Sequence, residues 1–225
     1  MKTFFSMFAG AFALASGLVV SVAEDEGWVD LISGDGLDGW RGYQMEEVPP
    51  GWSVEDGVIV SEPVKGTTDL ITNGEYGDFE LVVEWKISEG GNSGILYRVS
   101  EDGVKAWHSG VEIQILDNDR HKDKTVEMGH AAGAVYALWP GKKEAFREHG
   151  EWNETRIVAK GKNVEVYLNG VEIATFEVGG DEWKEKIAAS KFVKFPGLGE
   201  LDKGHIALQS HGSNAWFRQI RIREL

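Results

Sequence analysis

Residues 110–117 of this chain, Gly-Val-Glu-Ile-Gln-Ile-Leu-Asp, decide the fold that the sequence predicts. Apolar and polar residues alternate along the stretch, which is typical of a β-strand with one face in a core. The predicted core face consists of Val111, Ile113 and Ile115. Glu112 and Gln114 lie on the opposite face. Because antiparallel sheets often have one solvated face, Glu112 taken alone is also consistent with a surface charge.

The polar faces of other predicted strands are rich in Gln, His, Arg and Tyr rather than in Lys and Glu. Residues 204–212, GHIALQSHG, place Gln209 and His211 on one face of a strand. Residues 95–99, ILYRV, place Arg98 on a polar face in the same way. Such side chains suit a sugar-binding concavity better than plain solvent. We therefore predict a carbohydrate as the ligand.

Strand signals recur along the whole chain, with turns between them and almost no helix. The most regular alternation lies in residues 79–87, FELVVEWKI. The pair Asn169-Gly170 between two alternating apolar runs predicts a tight β-hairpin. Residues 133–139 predict a further strand, and residues 181–194 predict a helix or an irregular crossing. The pattern predicts an all-β fold, an antiparallel two-sheet sandwich or jelly roll.

Composition and charge restrict the partners and the chemistry. The 225 residues are 42% hydrophobic and carry a formal net charge of −14. Nucleic acids and anionic membranes are themselves negatively charged, so neither is expected as a partner. The chain contains no cysteine, which excludes disulfides and thiolate metal ligands. A neutral sugar is compatible with this charge.

The first 23 residues have the pattern of a secretory signal peptide. Lys2 supplies a positive charge, residues 4–20 are apolar, and residues 21–23 (Ser-Val-Ala) offer a small-x-small cleavage site. An uncleaved membrane anchor is the competing interpretation, because the apolar run approaches the length that spans a bilayer. We predict cleavage, an exported protein of the periplasm or the extracellular space without membrane attachment, and a single domain over residues 24–225.

Several ordered motifs together resemble the 3-keto-disaccharide hydrolase domain, over about residues 28–225. They are Asn92-Ser93-Gly94-Ile95, Glu112-x-Gln114-Ile115-Leu116-Asp117, Gly133-x-x-Tyr136, Glu151-Trp152-Asn153, Leu168-Asn169-Gly170 and Gly204-x-Ile206-x-Leu208-Gln209-x-His211-Gly212. Gln219 is a departure, since the resemblance leads us to expect Asn at this position. The resemblance implies a concanavalin-like jelly roll with the sugar on the concave sheet. It also implies a substrate class, glycosides oxidised to a ketone at C3 of the sugar.

A ketone at C3 acidifies the hydrogen on C2 of such a sugar. A base can then remove this proton and expel the aglycon from C1 by β-elimination, after which water adds to give a 3-keto sugar. The chemistry requires a base, donors to the enolate oxygen and an acid near the leaving oxygen. Glu112 and His211 are the candidate base and acid, in either assignment, and His130 is a further candidate acid. The candidate substrate-binding residues for the enolate or hydroxyl groups are Arg98, Gln114 and Gln209. The candidates for the wall of the sugar site are Trp107, Tyr136 and Asn153, and Asn92 is a further candidate substrate-binding residue.

Two alternative functions stay open at this point. Endo-glycosidases on the same jelly roll carry Glu-x-Asp-x-x-Glu, and Glu112, Gln114 and Asp117 occupy the same offsets. The amide of Gln114 cannot act as acid or nucleophile, which disfavours this mechanism. A non-catalytic carbohydrate-binding module is the other alternative. No cofactor is predicted. A divalent ion near Asp117 is an alternative, although the spacing of the candidate ligand residues along the chain matches no metal motif.

Overall fold

The structure, a computed structural model, describes residues 27–32, 34, 36–122 and 129–225. The predicted signal peptide, residues 1–23, lies outside the described residues. Within the described ranges, no helix is long and apolar enough to cross a membrane. The described chain forms two antiparallel β-sheets and one short α-helix, which confirms the predicted all-β sandwich.

Thirteen strands make up the described part of the two sheets. In chain order they are Val29–Asp30 (β1), Trp40–Gly42 (β2), Trp52–Glu55 (β3), Val58–Ser61 (β4), Leu70–Thr72 (β5), Phe79–Ile87 (β6), Asn92–Val99 (β7), Val111–Leu116 (β8), Asn153–Lys160 (β9), Asn163–Leu168 (β10), Val171–Glu177 (β11), His205–Leu208 (β12) and Ala215–Glu224 (β13). The helix α1 spans Asp181–Ala189, and short 3₁₀ turns lie at Ala106–His108, Lys143–Ala145 and Lys191–Lys194.

Among the described residues, eight strands form the larger sheet and five form the smaller sheet. The larger sheet follows the order β11-β10-β9-β6-β13-β4-β3, with β1 paired to β13. The smaller sheet follows the order β2-β5-β12-β7-β8, so β8 is an edge strand. Strands far apart in the sequence lie side by side in both sheets, as in a jelly roll.

The hydrophobic core lies between the two sheets. The larger sheet contributes the predicted apolar face of β6, which consists of Phe79, Leu81, Val83, Trp85 and Ile87. The smaller sheet contributes the predicted apolar face of β8, which consists of Val111, Ile113 and Ile115. Across the core, the rings of Phe79 and Tyr97 meet edge to face with their centres 6.0 Å apart. Burial of the apolar face turns Glu112 and Gln114 of β8 to the outside of the sandwich.

The predicted Asn169-Gly170 hairpin is confirmed. It joins β10 to β11, and its two turn residues have φ angles of 50° and 78°. Both angles lie in the left-handed region that a two-residue type I′ turn requires, and Asn and Gly tolerate this region best.

Residues 133–139 form turns, so the strand predicted there is wrong. Gly133 and Ala137 have φ angles of 79° and 58°, which are incompatible with an extended strand. The segment still pairs with the edge of β8, because the backbone N–H of Tyr136 donates to the carbonyl of Glu112 at 3.0 Å. This bond holds Tyr136 beside the outer face of the smaller sheet.

Arg98 lies inside the sandwich, contrary to its prediction as a ligand-binding residue on the outer face. Its φ angle of 51° and a shift in the register between β7 and β12 mark a bulge, which interrupts the alternation of faces. The fully buried guanidinium donates to the carbonyls of Gly77 at 2.9 Å and Gly161 at 2.7 Å. Arg98 therefore ties the smaller sheet to loops of the larger one.

Candidate active site

A cavity of about 200 Å³ opens on the outer face of the smaller sheet. Its lining residues are Asn92, Trp107, Glu112, Gln114, Tyr136, Lys191, Gln209 and His211. All of them except Lys191 are site residues predicted from the sequence. The cavity is thus the place where the fold gathers most of the predicted set.

Strand β8 presents Glu112 and Gln114 to the cavity, as its alternation predicts. The neighbouring strand β7 has Gly94 directly opposite Gln114. A Cβ atom at Gly94 would lie 2.9 Å from Oε1 of Glu112, closer than a real Cβ contact. Glycine at this position therefore makes the room that the carboxyl group of Glu112 occupies.

Glu112 is a buried carboxyl group whose pKa is strongly raised. Only 8% of the residue is exposed, and burial raises its pKa from 4.5 to about 7. The charge of Lys191 and a hydrogen bond with Gln209 lower this pKa, whereas the charge of Asp69 raises it. A pKa near 7 allows Glu112 to exchange a proton at neutral pH, which a general acid or base requires.

Three side-chain amides line the cavity together with Glu112. With its amide nitrogen turned toward Glu112, Gln114 donates to Oε1 of that carboxyl group and to the Ser93 carbonyl, each at 3.1 Å. Among the described residues, Oε1 of Gln209 and Oδ1 of Asn92 are buried oxygens without a hydrogen-bond partner. A buried acceptor without a partner costs free energy. The two residues line the cavity, but these oxygens themselves have almost no accessible surface.

Lys191 adds a positive charge at the mouth of the cavity. Its Nζ lies 4.3 Å from the centre of the Tyr136 ring and 4.7 Å from that of the Trp107 ring, within the range of cation–π contacts. Burial lowers the pKa of Lys191, and the charge of Glu112 opposes this effect. Lys191 belongs to the 3₁₀ turn that follows α1.

Aromatic residues form one wall of the cavity. Trp107 packs edge to face against Phe195 with ring centres 4.9 Å apart. Tyr136 stacks on His130 with ring centres 4.6 Å apart. His130, predicted as a candidate acid, contacts the wall residue Tyr136 but is not itself among the residues that line the cavity.

A second cavity of about 350 Å³ adjoins the first and shares Trp107, Gln209 and His211 with it. Its other lining residues are Tyr43, Gln44, Thr67, Thr68, Asp69, Val104, Lys105 and Ser210. The carboxylate of Asp69 accepts a hydrogen bond from the Ser210 backbone at 2.9 Å, and burial raises the pKa of Asp69. The two cavities together form one polar cleft, with His211 at the border between them.

Asn153 lies in the larger sheet, contrary to its prediction as a wall residue. Its Oδ1 accepts hydrogen bonds from the Arg147 backbone and from the Asn169 side chain, both at 2.8 Å. The motifs Glu151-Trp152-Asn153 and Leu168-Asn169-Gly170 thus meet each other. Their hydrogen bonds hold a turn in place, and this role explains Asn153 without contact to a ligand.

Asp117 is buried at the end of β8, and its carboxylate is held by backbone N–H groups and by His149. Its carboxylate accepts hydrogen bonds from the backbone of Gly90 at 2.7 Å and of Asp119 at 3.2 Å, and it lies 3.3 Å from Nδ1 of His149. Asp117 does not line the cavity with Glu112, so the carboxylate pair of the endo-glycosidase alternative is not assembled from these two residues. Within the described ranges, no three His, Asp or Glu side chains are grouped to hold a metal ion.

Two charged residues that shift the pKa of Glu112, Lys191 and Asp69, carried no signal in the sequence. Lys191 lies in residues 181–194, a segment for which the sequence predicts either a helix or an irregular crossing. Asp69 precedes the short strand β5 and looks like an ordinary turn residue. Only the folded chain brings them near Glu112.

Comparison with known proteins assigns the family. The 3-keto-alpha-glucoside-1,2-lyase-like domain matches residues 27–223. This chain belongs to that family. It is also 32% identical to a 3-keto-disaccharide hydrolase of Bacteroides thetaiotaomicron, over 89% of this chain and 79% of the relative. The two matches confirm the expected enzyme class, a hydrolase that cleaves glycosidic bonds.

Solved structures share the architecture. The crystal structure of a candidate glycosyl hydrolase from Parabacteroides distasonis has a TM-score of 0.81 and 32% identity, covering 88% of this chain and 94% of that chain. A Bacillus subtilis protein with a galectin-like fold has a TM-score of 0.55 and 12% identity, covering 88% and 94% of the two chains. The second likeness concerns the fold alone, and it confirms the jelly roll.

Proposed function

We propose that this protein cleaves 3-keto-glycosides by β-elimination between C1 and C2, followed by addition of water. The products are a 3-keto sugar and the free aglycon. One observation carries the proposal: Glu112 is a buried carboxyl group with a pKa of about 7 in a polar cavity. Family membership and the name of the Bacteroides relative support the substrate class.

Glu112 serves as the base that removes the proton from C2. Its carboxylate is held in place by Gln114 and Gln209, and Gly94 leaves the space that it occupies. Burial removes water from the carboxylate, and a partly desolvated base with a pKa near the working pH transfers protons efficiently. Asn92 and Gln209 line the cavity, and their side-chain amides are polar groups of the kind that pair with the hydroxyl groups of a sugar ring.

Lys191 stabilises the charge that develops during proton removal. As the C2–H bond breaks, negative charge moves to the oxygen on C3, and a cation placed in advance lowers the energy of this state. Lys191 supplies that cation at the mouth of the cavity, above the rings of Tyr136 and Trp107. Its attraction to Glu112 also favours the ionised form of the base.

His211 serves as the acid that protonates the leaving oxygen. It lines both cavities, and the bond to be cleaved joins the keto sugar to the leaving group. With the keto ring beside Glu112, the leaving oxygen lies at the border where His211 is found. The electron pair from the C2–H bond forms a C1=C2 double bond, the C1–O bond breaks, and the aglycon departs as a neutral alcohol.

Addition of water to the double bond completes the reaction. A hydroxyl group adds to C1 and a proton returns to C2, so Glu112 and His211 exchange their roles of base and acid. The net change is hydrolysis, and no oxidant or reductant is consumed. The ketone is required only to acidify the hydrogen on C2.

The test is to incubate residues 24–225 with a 3-keto-glucoside and with its unoxidised parent in heavy water, and to follow the products by chromatography and mass spectrometry. The proposal predicts aglycon release from the keto compound alone and one deuterium at C2 of the released sugar. A control incubation of the free 3-keto sugar measures background exchange. Release from the parent glycoside, or keto-sugar product without deuterium beyond background, would overturn the elimination.

A further inference from the structure

We infer that Ser93 and Asp69 are positioning residues that clamp residues 209–211, the segment that carries Gln209 and His211. The inference rests on the proposed function, because that function makes Gln209 a partner of the base and His211 the acid. It adds two residues to the reaction that act through this segment rather than through contact with the substrate.

The segment of residues 209–211 lies beyond the end of a strand. Strand β12 ends at Leu208, and the three residues that follow have no regular secondary structure. One backbone bond continues the pairing with β7, from the N–H of Gln209 to the carbonyl of Gly94 at 2.9 Å. His211 is exposed, so packing in a core does not fix its position. Since the strand bonds stop here, side chains must supply the remaining restraint on the segment.

Ser93 forms the first half of the clamp. Only 1% of this residue is exposed, and its hydroxyl group donates to the carbonyl of Gln209 at 2.7 Å. The carbonyl of Ser93 accepts from the side-chain amide of Gln114 at 3.1 Å. The side chains of Gln114 and Gln209 both form hydrogen bonds with Glu112. Ser93 therefore sets the relative position of the two amides that hold the base.

Asp69 forms the second half of the clamp. Its Oδ1 accepts a hydrogen bond from the backbone N–H of Ser210 at 2.9 Å, and a carboxylate acceptor makes this bond stronger than one between neutral groups. The carbonyl of Asp69 accepts from the backbone N–H of Tyr43 at 2.8 Å, which fixes Asp69 itself. Ser210 lies between Gln209 and His211, so one bond restrains both.

The two halves of the clamp have opposite effects on the base. The charge of Asp69 raises the pKa of Glu112, whereas the charge of Lys191 and the hydrogen bond with Gln209 lower it. Asp69→Asn removes the charge and should lower the pKa of Glu112. Ser93→Ala loosens Gln209 and should raise it. A purely structural role of either residue would not produce these opposite shifts.

The experiment measures kcat and the pH profile of kcat/KM with a 3-keto-glucoside for three variants. Ser93→Ala and Asp69→Ala are each expected to lower kcat roughly tenfold, because the groups carried by the segment lose their alignment. Asp69→Asn is expected to recover most of the kcat lost in Asp69→Ala, because its amide oxygen still accepts from Ser210. The rising limb of the pH profile should move to lower pH in Asp69→Asn and to higher pH in Ser93→Ala.

Matched controls separate the clamp from general effects of the substitutions. Ser61 is also 1% exposed, and its hydroxyl group has no hydrogen-bond partner among the described residues, so Ser61→Ala should change neither kcat nor the profile. Asp30→Ala, at an exposed position of β1, is the control for the Asp69 variants. Urea unfolding establishes that each variant is folded. A kcat within twofold of wild type in both Ser93→Ala and Asp69→Ala would overturn the inference.

Two NMR measurements test the clamp without turnover. Exchange of the Ser210 amide proton with solvent should be slow in the wild-type protein and in Asp69→Asn, and faster in Asp69→Ala. The carboxyl carbon signal of Glu112 should titrate at lower pH in Asp69→Asn and at higher pH in Ser93→Ala. Unchanged amide exchange in Asp69→Ala, or titration shifts in the same direction, would contradict the clamp. If the wild-type protein turns over no 3-keto-glycoside while these signals change as expected, the proposed function fails and the clamp stands.

Discussion

Replacing Glu112 by Gln should abolish most turnover while stabilising the fold at neutral pH. Gln keeps the shape of the side chain, but it can neither ionise nor accept the C2 proton. Loss of a positioned general base typically costs roughly 10²–10⁴-fold in rate. The pKa of Glu112 rises from 4.5 to about 7, a difference of about 2.5. Each pKa unit corresponds to about 1.36 kcal/mol, so ionisation of Glu112 costs the folded state on the order of 3 kcal/mol.

The sign of this cost gives the prediction a distinctive dependence on pH. The pKa of Glu112 is higher in the folded state than in the unfolded chain. The cost is therefore absent below about pH 4.5, grows as the pH rises, and is complete above about pH 7. Glu112→Gln should equal the wild-type protein in unfolding free energy near pH 4 and exceed it by a few kcal/mol near pH 8.

Urea unfolding at several pH values and turnover of a 3-keto-glucoside measure the two effects separately. Glu55→Gln, at an exposed position of β3, is the matched control and should change neither. Turnover within tenfold of wild type would refute Glu112 as the base. A stability difference of the same size at pH 4 and pH 8 would refute the raised pKa as its cause.

Three further substitutions test individual contacts. Lys191→Met should move the rising limb of the pH profile of kcat/KM to higher pH, because the lost cation no longer lowers the pKa of Glu112. An unmoved limb would contradict an electrostatic effect of Lys191 on Glu112. Gly94→Ala should reduce kcat/KM at least tenfold and lower the unfolding free energy in urea by roughly 1–3 kcal/mol, because the new Cβ atom would clash with the Glu112 carboxyl group. Unaltered kinetics would argue against this close approach. Arg98→Met should lower the unfolding free energy by roughly 3 kcal/mol, because buried carbonyls lose their donor. Unchanged stability together with a large rise in KM would instead support Arg98 as a substrate-binding residue.

Local backbone geometry explains which elements could be predicted. The alternation in β6 and β8 follows from the two-residue period of an extended chain, and the Asn169-Gly170 turn follows from the angles that these residues tolerate. The same reasoning failed at Arg98 and in residues 133–139. There, residues with positive φ interrupt the extended chain, and side-chain type alone does not reveal that interruption.

The sequence by itself determined the strands β6 and β8, their apolar faces, and the outward position of Glu112 and Gln114, because these depend on neighbours along one strand. The tertiary structure decided which polar residues share a space with Glu112. It brought in Lys191 and kept Asn153 in the other sheet. The raised pKa of Glu112 also depends on the fold, because desolvation is produced by distant segments that pack over the carboxyl group.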